Sequence, residues 1–257
     1  MGSLGAAQSA KHELICRKLG LARPPVGERR RRLLDVGCGW GSMVIHAATE
    51  HDVDAVGVTI STEQAAYARQ RVEELGLGDR VEIRVQDYRE VDDGPYEAIS
   101  SIGMAEHVGH RRMPTYFERL YGLLAPGGRL LNHAIGSVGG SRLGRRSFVN
   151  RYVFPDGELL DIADTARTME QAGFEVRDVE NLREHYDRTL RCWVANLERH
   201  WDEAVDLVGE ARSRVWLLYM SGSVNGFEDG GIQIYQTLGV RLHEGGGSDM
   251  PATRDGW

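Results

Sequence analysis

The stretch Arg32-Leu33-Leu34-Asp35-Val36-Gly37-Cys38-Gly39-Trp40-Gly41 restricts the fold more than any other part of the chain. Leu33, Leu34 and Val36 form a short apolar run, the pattern of a central parallel strand buried on both faces. Gly37, Gly39 and Gly41 follow at alternate positions, where the lack of a Cβ lets the backbone turn sharply and approach a bound molecule closely. From Ser42 to Ala48 the pattern is helical. Strand, glycine turn and helix N-terminus in that order describe a nucleotide-cofactor site. The flanking residues decide which kind.

The dinucleotide fingerprint is G-x-G-x-x-G, with an acid about 20 residues further on. Here the third glycine comes one place early and Ser42 stands where it belongs. The second strand ends in Thr59 rather than in an acid. Asp35 adds an anion just before the first glycine, which suits a cationic cofactor better than a pyrophosphate. The pattern D-x-G-x-G-x-G resembles motif I of the Rossmann-like S-adenosylmethionine methyltransferases. That resemblance implies an α/β fold: a seven-stranded class I methyltransferase sheet with added helices on the substrate side.

At 257 residues the chain can bury a sizeable core in one domain. Lys and Arg number 31 against 38 Asp and Glu, a net charge of −7, so a general affinity for nucleic acid is not expected. No run of about 18 apolar residues occurs to span a membrane. Met1 to Ala10 lack the basic and apolar regions of a signal peptide. Cys16, Cys38 and Cys192 are scattered with no C-x-x-C. That speaks against a disulfide framework or a zinc site, and for a reducing cytoplasm.

In chain order, residues 6–19 carry an apolar helical stripe ended by Gly20, and Pro24, Pro25 and Gly27 make a loop. Arg29 to Arg32 reads as a solvated strand entrance, or as an attraction to anionic phospholipid. Strands are expected at residues 33–36, 53–58, 81–85, 96–102, 129–135, 174–182 and 232–238. Helices are expected at residues 62–75, 113–124, 158–172, 187–208 and 211–222. Ser61 and Gln64 have capping-box spacing. Strands alternating with helices imply a parallel sheet with right-handed crossovers, whose ligands sit beyond the carboxyl ends of the strands. Cys38, Thr59, Asp87, Gly103 to Glu106 and His133 fall at those ends. Gly139, Gly140, Gly144, Arg142, Arg145 and Arg146 form a flexible basic stretch, and Asn150 to Gly157 a turn-rich connection. The expected division is a single methyltransferase domain over 1–257. It comprises an N-terminal helix and linker (1–32), a cofactor-binding core (33–136), substrate-side helices and last strands (137–243) and a flexible tail (244–257). The aromatics and Met220 of the Trp216–Met220 stretch read as core rather than as an acyl tunnel. Cys38 reads as a small filler rather than a nucleophile, and no metal ligands are expected.

Collinear pieces between about residues 6 and 240 resemble the cyclopropane-fatty-acid (mycolic acid cyclopropane) synthases. They are Ala7-Gln8-Ser9-Ala10-Lys11 through Leu19, Leu34 to Gly41, Gly57-Val58-Thr59-Ile60-Ser61 with Gln64, and Gln86-Asp87-Tyr88. Further on come Ala105-Glu106-His107-Val108-Gly109, His133-Ala134-Ile135, Asn150 to Pro155, and His185 to Leu190 with Trp193. The resemblance implies transfer of a methyl(ene) carbon from S-adenosylmethionine to a cis alkene in an unsaturated phospholipid or fatty acyl chain. It implies transient contact with the membrane surface and a place on the inner face of the membrane, and it leaves a homodimer open. Cofactor contacts would come from Asp35, Gly37, Cys38, Gly39, Thr59, Ser61, Gln64, Gln86, Asp87 and Ile102. Glu106, His133 and Tyr186 would be catalytic. With the Ile135 backbone they would hold a bicarbonate that takes the proton lost on ring closure.

One departure bears on activity. In the family a Tyr-Ser-Cys segment covering the cofactor precedes the Ala-Gln-x-Ala-Lys helix by about a dozen residues, whereas Met1 here lies seven residues before Gln8. A chain without that segment is expected to fold and bind cofactor but to methylate alkenes weakly. Two rival readings are a methyltransferase acting on a diffusible metabolite and a homologue that only binds cofactor or lipid.

Overall fold

The computed structural model describes residues 3–23, 25, 27–140, 144, 146–155 and 157–254. Arg142 and Arg145 of the expected basic stretch, with Pro24 and Asp156, lie outside the described residues. Seven strands, β1 (Arg32–Val36), β2 (Asp54–Thr59), β3 (Val81–Val85), β4 (Tyr96–Ile102), β5 (Leu124–Ser137), β6 (Glu175–Asn181) and β7 (Ile232–Val240), form one sheet. Their order is β3-β2-β1-β4-β5-β7-β6. β1 to β5 run parallel, but β7 is antiparallel to both β5 and β6, so the expected parallel sheet is mixed. The alternation along residues 232–238 identifies a strand but carries no direction. β7 begins opposite Ser137, at the carboxyl end of β5, and therefore runs back along it.

Alternate strand residues face opposite sides of the sheet. On one side Leu33, Ala55, Ala98 and Leu131 pack against α1 (Leu4–Lys18), α2 (Ser42–His51) and α3 (Thr62–Glu74). On the other, Leu34, Val36, Val58 and Ile99 meet α4 (Ala105–Val108), α5 (Met113–Leu123) and Met169 of α7 (Ile162–Gln171). A third, smaller core joins Leu190 of α8 (Arg183–Arg199), Met220, Val224 and Phe227 of α10 (Glu210–Glu228) and Ile234 of β7. Met220 thus belongs to the core, as expected.

Several boundaries differ for local reasons. α7 starts at Ile162 rather than near Glu158, because Leu160 pairs with Gly136 and Asp161 caps the helix by accepting from the Asp164 N–H at 2.7 Å. The single helix expected over 187–208 is two, α8 and α9 (Trp201–Val208), parted at His200. A short helix, α6 (Phe148–Tyr152), forms within the expected turn-rich connection, capped by Ser147. The tail expected to fray instead holds contacts as far as residue 254. Met250 packs on the first core, and Arg254 pairs with Asp178 at 2.8 Å. No helix among the described residues is long and apolar enough to cross a membrane.

Candidate active site

The carboxyl ends of β3, β2, β1, β4 and β5 lie side by side. Residues distant in sequence therefore form one arc: Gln86 and Asp87, then Thr59, Gly37 to Gly39, Ile102 and Gly103, then His133 and Ile135. β1 has β2 on one flank and β4 on the other, and the crevice at such a switch point is where open α/β sheets bind ligands. Backbone bonds lock the arc. The N–H groups of Gly37 and Cys38 both donate to Val58 O, at 2.9 and 3.0 Å, and Gln86 N–H donates to Thr59 O at 3.0 Å.

At the apex Gly39 holds φ +54, and a Cβ added there would meet nothing within 4 Å. The left-handed backbone calls for glycine, and the open space lets a ligand approach the main chain. Cys38 turns the other way. It is 7 % exposed and packs on Gly57, where a Cβ would come within 2.9 Å of the Cys38 Cβ. Burial pushes its thiol up to about 12, which suits a filler and not a nucleophile.

Asp35 points to the α1 side of the sheet, is 2 % exposed, and accepts from Ser100 Oγ at 2.7 Å across the β1–β4 register. Burial raises its carboxyl to about 6, opposed by the Ser100 bond and by the charge of Lys11. Lys11 is held by Gln8 Oε1 at 2.9 Å, and burial draws its ammonium below the usual lysine range. The other expected cofactor residues make local bonds. Thr59 Oγ1 donates to Gln64 Oε1 at 3.0 Å, Ser61 Oγ caps α3 by accepting from Gln64 N–H, and Gln86 Nε2 donates to Glu90 O. Both oxygens of Asp87 take the Arg89 guanidinium, at 2.9 and 2.6 Å, which holds that carboxyl below its usual range.

Beyond Ile102, its last partner on β4, the same edge of strand β5 is taken up by Glu106 and by Leu160. The Gly103 N–H donates to His133 O at 2.8 Å. Glu106, in the first turn of α4, reaches back so that its Oε1 accepts from Ile135 N–H at 2.7 Å. Its Oε2 is sealed from solvent and has no partner. Burial raises this carboxyl to about 7 against the pull of the Ile135 bond. His133 shares a face of β5 with Ile135 and is 5 % exposed, with Nδ1 unpartnered. Burial, then the charges of Lys11, Lys18 and His12, lowers it to about 3, so the imidazole is neutral. Opposite it on β7, Gln236 is 0 % exposed and both of its amide atoms lack a partner.

Tyr186, in the first turn of α8, stacks edge-on against Phe227 at 4.9 Å and Trp193 at 5.9 Å. Burial, then the charges of Tyr219 and Glu106, raises its phenol, which keeps the hydroxyl protonated. Tyr219 in turn meets Phe154 at 5.5 Å, and Phe154 meets Trp216 at 6.4 Å. The charge of Glu106 acts on both Tyr186 and Tyr219, which places it near this aromatic cluster from α8, α10 and the segment after α6. On the opposite face of β5 a cavity of ≈ 20 Å³ is lined by Glu106, Asn132 and Thr237 among others. Asn132 Oδ1 and Thr237 Oγ1 also lack protein partners, and a space of that size is large enough to admit one water.

The structure thus gathers Asp35, Gly37, Cys38, Gly39, Thr59, Gln86, Asp87 and Ile102 on one arc, joins Glu106 to the Ile135 N–H, and packs Ile135 and Tyr186 in the third core, with His133 on the α1 side of β5. It adds Lys11, Ser100, Tyr219, Phe154 and Gln236, which sequence reasoning did not select as site residues. Lys11 and Phe154 had a signal, inside the Ala-Gln-x-Ala-Lys and Asn150 to Pro155 segments, and Tyr219 lay in the Trp216–Met220 stretch read as core. The others act through cross-strand register or helix packing.

The family model for mycolic acid cyclopropane synthetase matches residues 2–237. A probable fatty acid methyltransferase of Pseudomonas putida is 42% identical, over 98% of this chain and 64% of its own length. The cyclopropane-fatty-acyl-phospholipid synthase of Escherichia coli K12 is 37% identical, over 95% of this chain and 60% of its own. The cyclopropane synthase MmaA2 from Mycobacterium tuberculosis superposes with a TM-score of 0.83 at 31% identity, covering 90% of this chain and 84% of that one. The mycolic acid cyclopropane synthase CmaA1, solved with SAH and CTAB, gives 0.84 at 31% identity, covering 93% and 86%. The chain spans between 57% and 64% of the length of the first curated relatives it matches. With the family model running from α1 into β7 and relatives of this identity along nearly the whole chain, the protein belongs to the mycolic acid cyclopropane synthetase family of S-adenosylmethionine-dependent methyltransferases.

Proposed function

We propose that the chain binds S-adenosylmethionine along the arc from Asp87 to Gly103. It transfers the cofactor's methyl group to the double bond of an unsaturated fatty acyl chain, and loss of one proton then closes a cyclopropane or leaves a methyl-bearing alkene. One observation carries this reading: the sealed, unpartnered Glu106 Oε2 stands beside the aromatic wall of Phe154, Tyr186 and Tyr219. The names of the relatives, a fatty acid methyltransferase and a synthase of cyclopropane acyl phospholipids, support the substrate class.

The residues fit the cofactor. Gly39 leaves space at the turn, and Asp35 supplies a buried anion on the same strand. When bound, S-adenosylmethionine supplies an electrophilic methyl group. An alkene is itself the nucleophile, so no side chain has to activate it. The chain's task is to exclude water and to hold fixed negative charge and dipoles where positive charge develops. Ionised Glu106 provides the charge, and the aromatic wall excludes water and offers its π faces. Glu106 Oε2 and His133 Nδ1 are acceptors or donors in want of a partner, and Tyr186 offers a hydroxyl. A small oxyacid such as bicarbonate, with both an O–H and oxygen acceptors, matches that set. It would supply a base for the proton that ring closure releases. An acyl chain esterified in a bilayer also requires transient contact with the membrane surface.

The test is incubation with labelled S-adenosylmethionine and vesicles of unsaturated or saturated phospholipid, read by mass spectrometry of the acyl chains. Gain of a CH₂ unit only in unsaturated chains is the expected result. Turnover on small metabolites without lipid gain would move the protein to a diffusible acceptor. Binding without any turnover would make it a non-catalytic homologue.

A further inference from the structure

We propose that Glu13, Cys16, His46 and His51 form a divalent-cation site, fitted to zinc, that clamps α1 to α2. The inference stands apart from the reaction proposed above. Glu13 and Cys16 lie three apart on α1, and His46 and His51 come from α2, with His51 its last residue. The Cys16 sulfur and one ring nitrogen from each histidine lie within 4.8 Å of one another. Glu13 Oε2 sits between the two imidazoles, 2.9 Å from His51 Nε2 and 3.5 Å from His46 Nε2.

A simple ion pair does not account for this cluster. A Glu13–His51 bond satisfies those two groups, while His46 Nε2, sealed from solvent, has only the 3.5 Å approach of the same Glu13 oxygen, too long for a well-formed hydrogen bond. Cys16 is 0 % exposed and unoxidised, facing the same spot. The sulfur and two imidazole nitrogens make three preplaced ligands of the borderline-soft kind that zinc takes, at about 2.3 Å to sulfur and about 2.0–2.1 Å to nitrogen, and the Glu13 carboxylate beside the imidazoles is the donor that would turn in as the fourth. Magnesium and calcium want oxygen donors instead. The three atoms already within 4.8 Å of one another need to draw together around the ion, and Glu13 to swing toward the sulfur, by side-chain rotation.

Charge and the contacts around the ligands agree. On binding, the Cys16 thiol releases its proton to solvent, and thiolate and carboxylate together neutralise a divalent ion. The carboxyl end of α2 adds partial negative charge. Glu13 Oε1 is held by Arg17 Nε at 3.0 Å, which orients the carboxylate. The clamp would fix α1, the helix that brings Gln8 and Lys11 beside Asp35.

No C-x-x-C or H-x₃-H spacing announces the site, because its ligands are paired by helix packing and not by sequence proximity. The test uses the full chain, stripped by chelator and titrated with Co²⁺, reading the thiolate-to-cobalt charge-transfer band, then competed with Zn²⁺. One equivalent should produce the band and Zn²⁺ should displace it. Cys16→Ser should abolish the band, and Cys192→Ser should leave it intact. His51→Asn and Glu13→Gln, outside the tight core, should each weaken binding at least about tenfold, and they decide the matter if Cys16→Ser fails to fold. Absence of a thiolate band in the parent chain, its survival in Cys16→Ser, or unchanged affinity in both His51→Asn and Glu13→Gln overturns the site.

Discussion

The two ends of the central strands are built on opposite rules. At the amino end, each arginine of the run before β1 has a partner. Arg29 pairs with Glu97, Arg30 with Asp52, Arg31 with the Gly20 carbonyl and Arg32 with Asp93. The run is a strand entrance tied to its surroundings. At the carboxyl end, Glu106 Oε2, His133 Nδ1 and both amide atoms of Gln236 are buried without partners. Buried polar groups in a folded chain are ordinarily satisfied, so a cluster of orphans marks a place that a ligand completes. Matched charge identifies scaffold, and unmatched buried polarity identifies site.

The comparison breaks most sharply at the glycine turn. Gly39→Val should reduce S-adenosylmethionine affinity by at least about 100-fold, since it strains a left-handed backbone and fills the open space beside it. Calorimetry decides, with circular dichroism to confirm the fold. Retained affinity would remove the arc as the cofactor site.

Next comes Glu106→Gln, which should lower turnover at least about tenfold, about 1.4 kcal/mol of barrier, with cofactor affinity nearly intact. Stability should move the other way. The folded carboxyl titrates near 7 against an ordinary value of 4.5, so the folded protein must bury a charge as pH rises through that window. Stability therefore falls from pH 4.5 to 7 in the parent and should fall less in the glutamine variant. Parent activity should rise over the same range and level off above about pH 7, losing about tenfold per unit below it. A variant as active as the parent would make Glu106 structural.

Gln236→Leu probes an orphan that sequence reasoning passed over. Removing two unpartnered buried atoms should leave stability unchanged or raise it by up to about 1 kcal/mol. Turnover should fall by about threefold or more, because the neighbour of His133 is lost. Thermal melts beside initial rates separate these effects, and a destabilised but fully active variant would refute the reading. The smallest effect belongs to the matched end. Arg30→Gln breaks a pair in which the arginine is 40% exposed, and should cost about 0–1 kcal/mol with turnover unchanged. A large loss of activity there would erase the distinction between the two ends.

Much of this was legible in the chain. Val81, Ile83 and Val85 alternate with Glu82 and Arg84, the period of a strand with one buried face, and the third and fourth strands fall where expected at Val81–Val85 and Tyr96–Ile102. The glycine spacing fixed the turn after β1, and Ser61 fixed the start of α3. Glu106 and His133 could be singled out because they follow strand positions where α/β sheets bind ligands. The reversed direction of β7, the break at His200 and the late start of α7 depend on which edge is free and which cap is nearer. Hydrophobic period does not record either.

The sequence by itself therefore determined a strand–turn–helix unit, an alternating α/β order, and the identity of the residues at the strand ends. Those follow from local periodicity and from backbone geometry that only glycine tolerates. Tertiary structure alone decided which polar groups lose water without gaining a partner. Ser100 meets Asp35 only through the β1–β4 register, Gln236 meets His133 only because β7 runs antiparallel, and Cys16 meets His46 only where α1 crosses α2. Desolvation is a property of the packed molecule, and it is desolvation that lifts Glu106 to about 7 and holds His133 neutral.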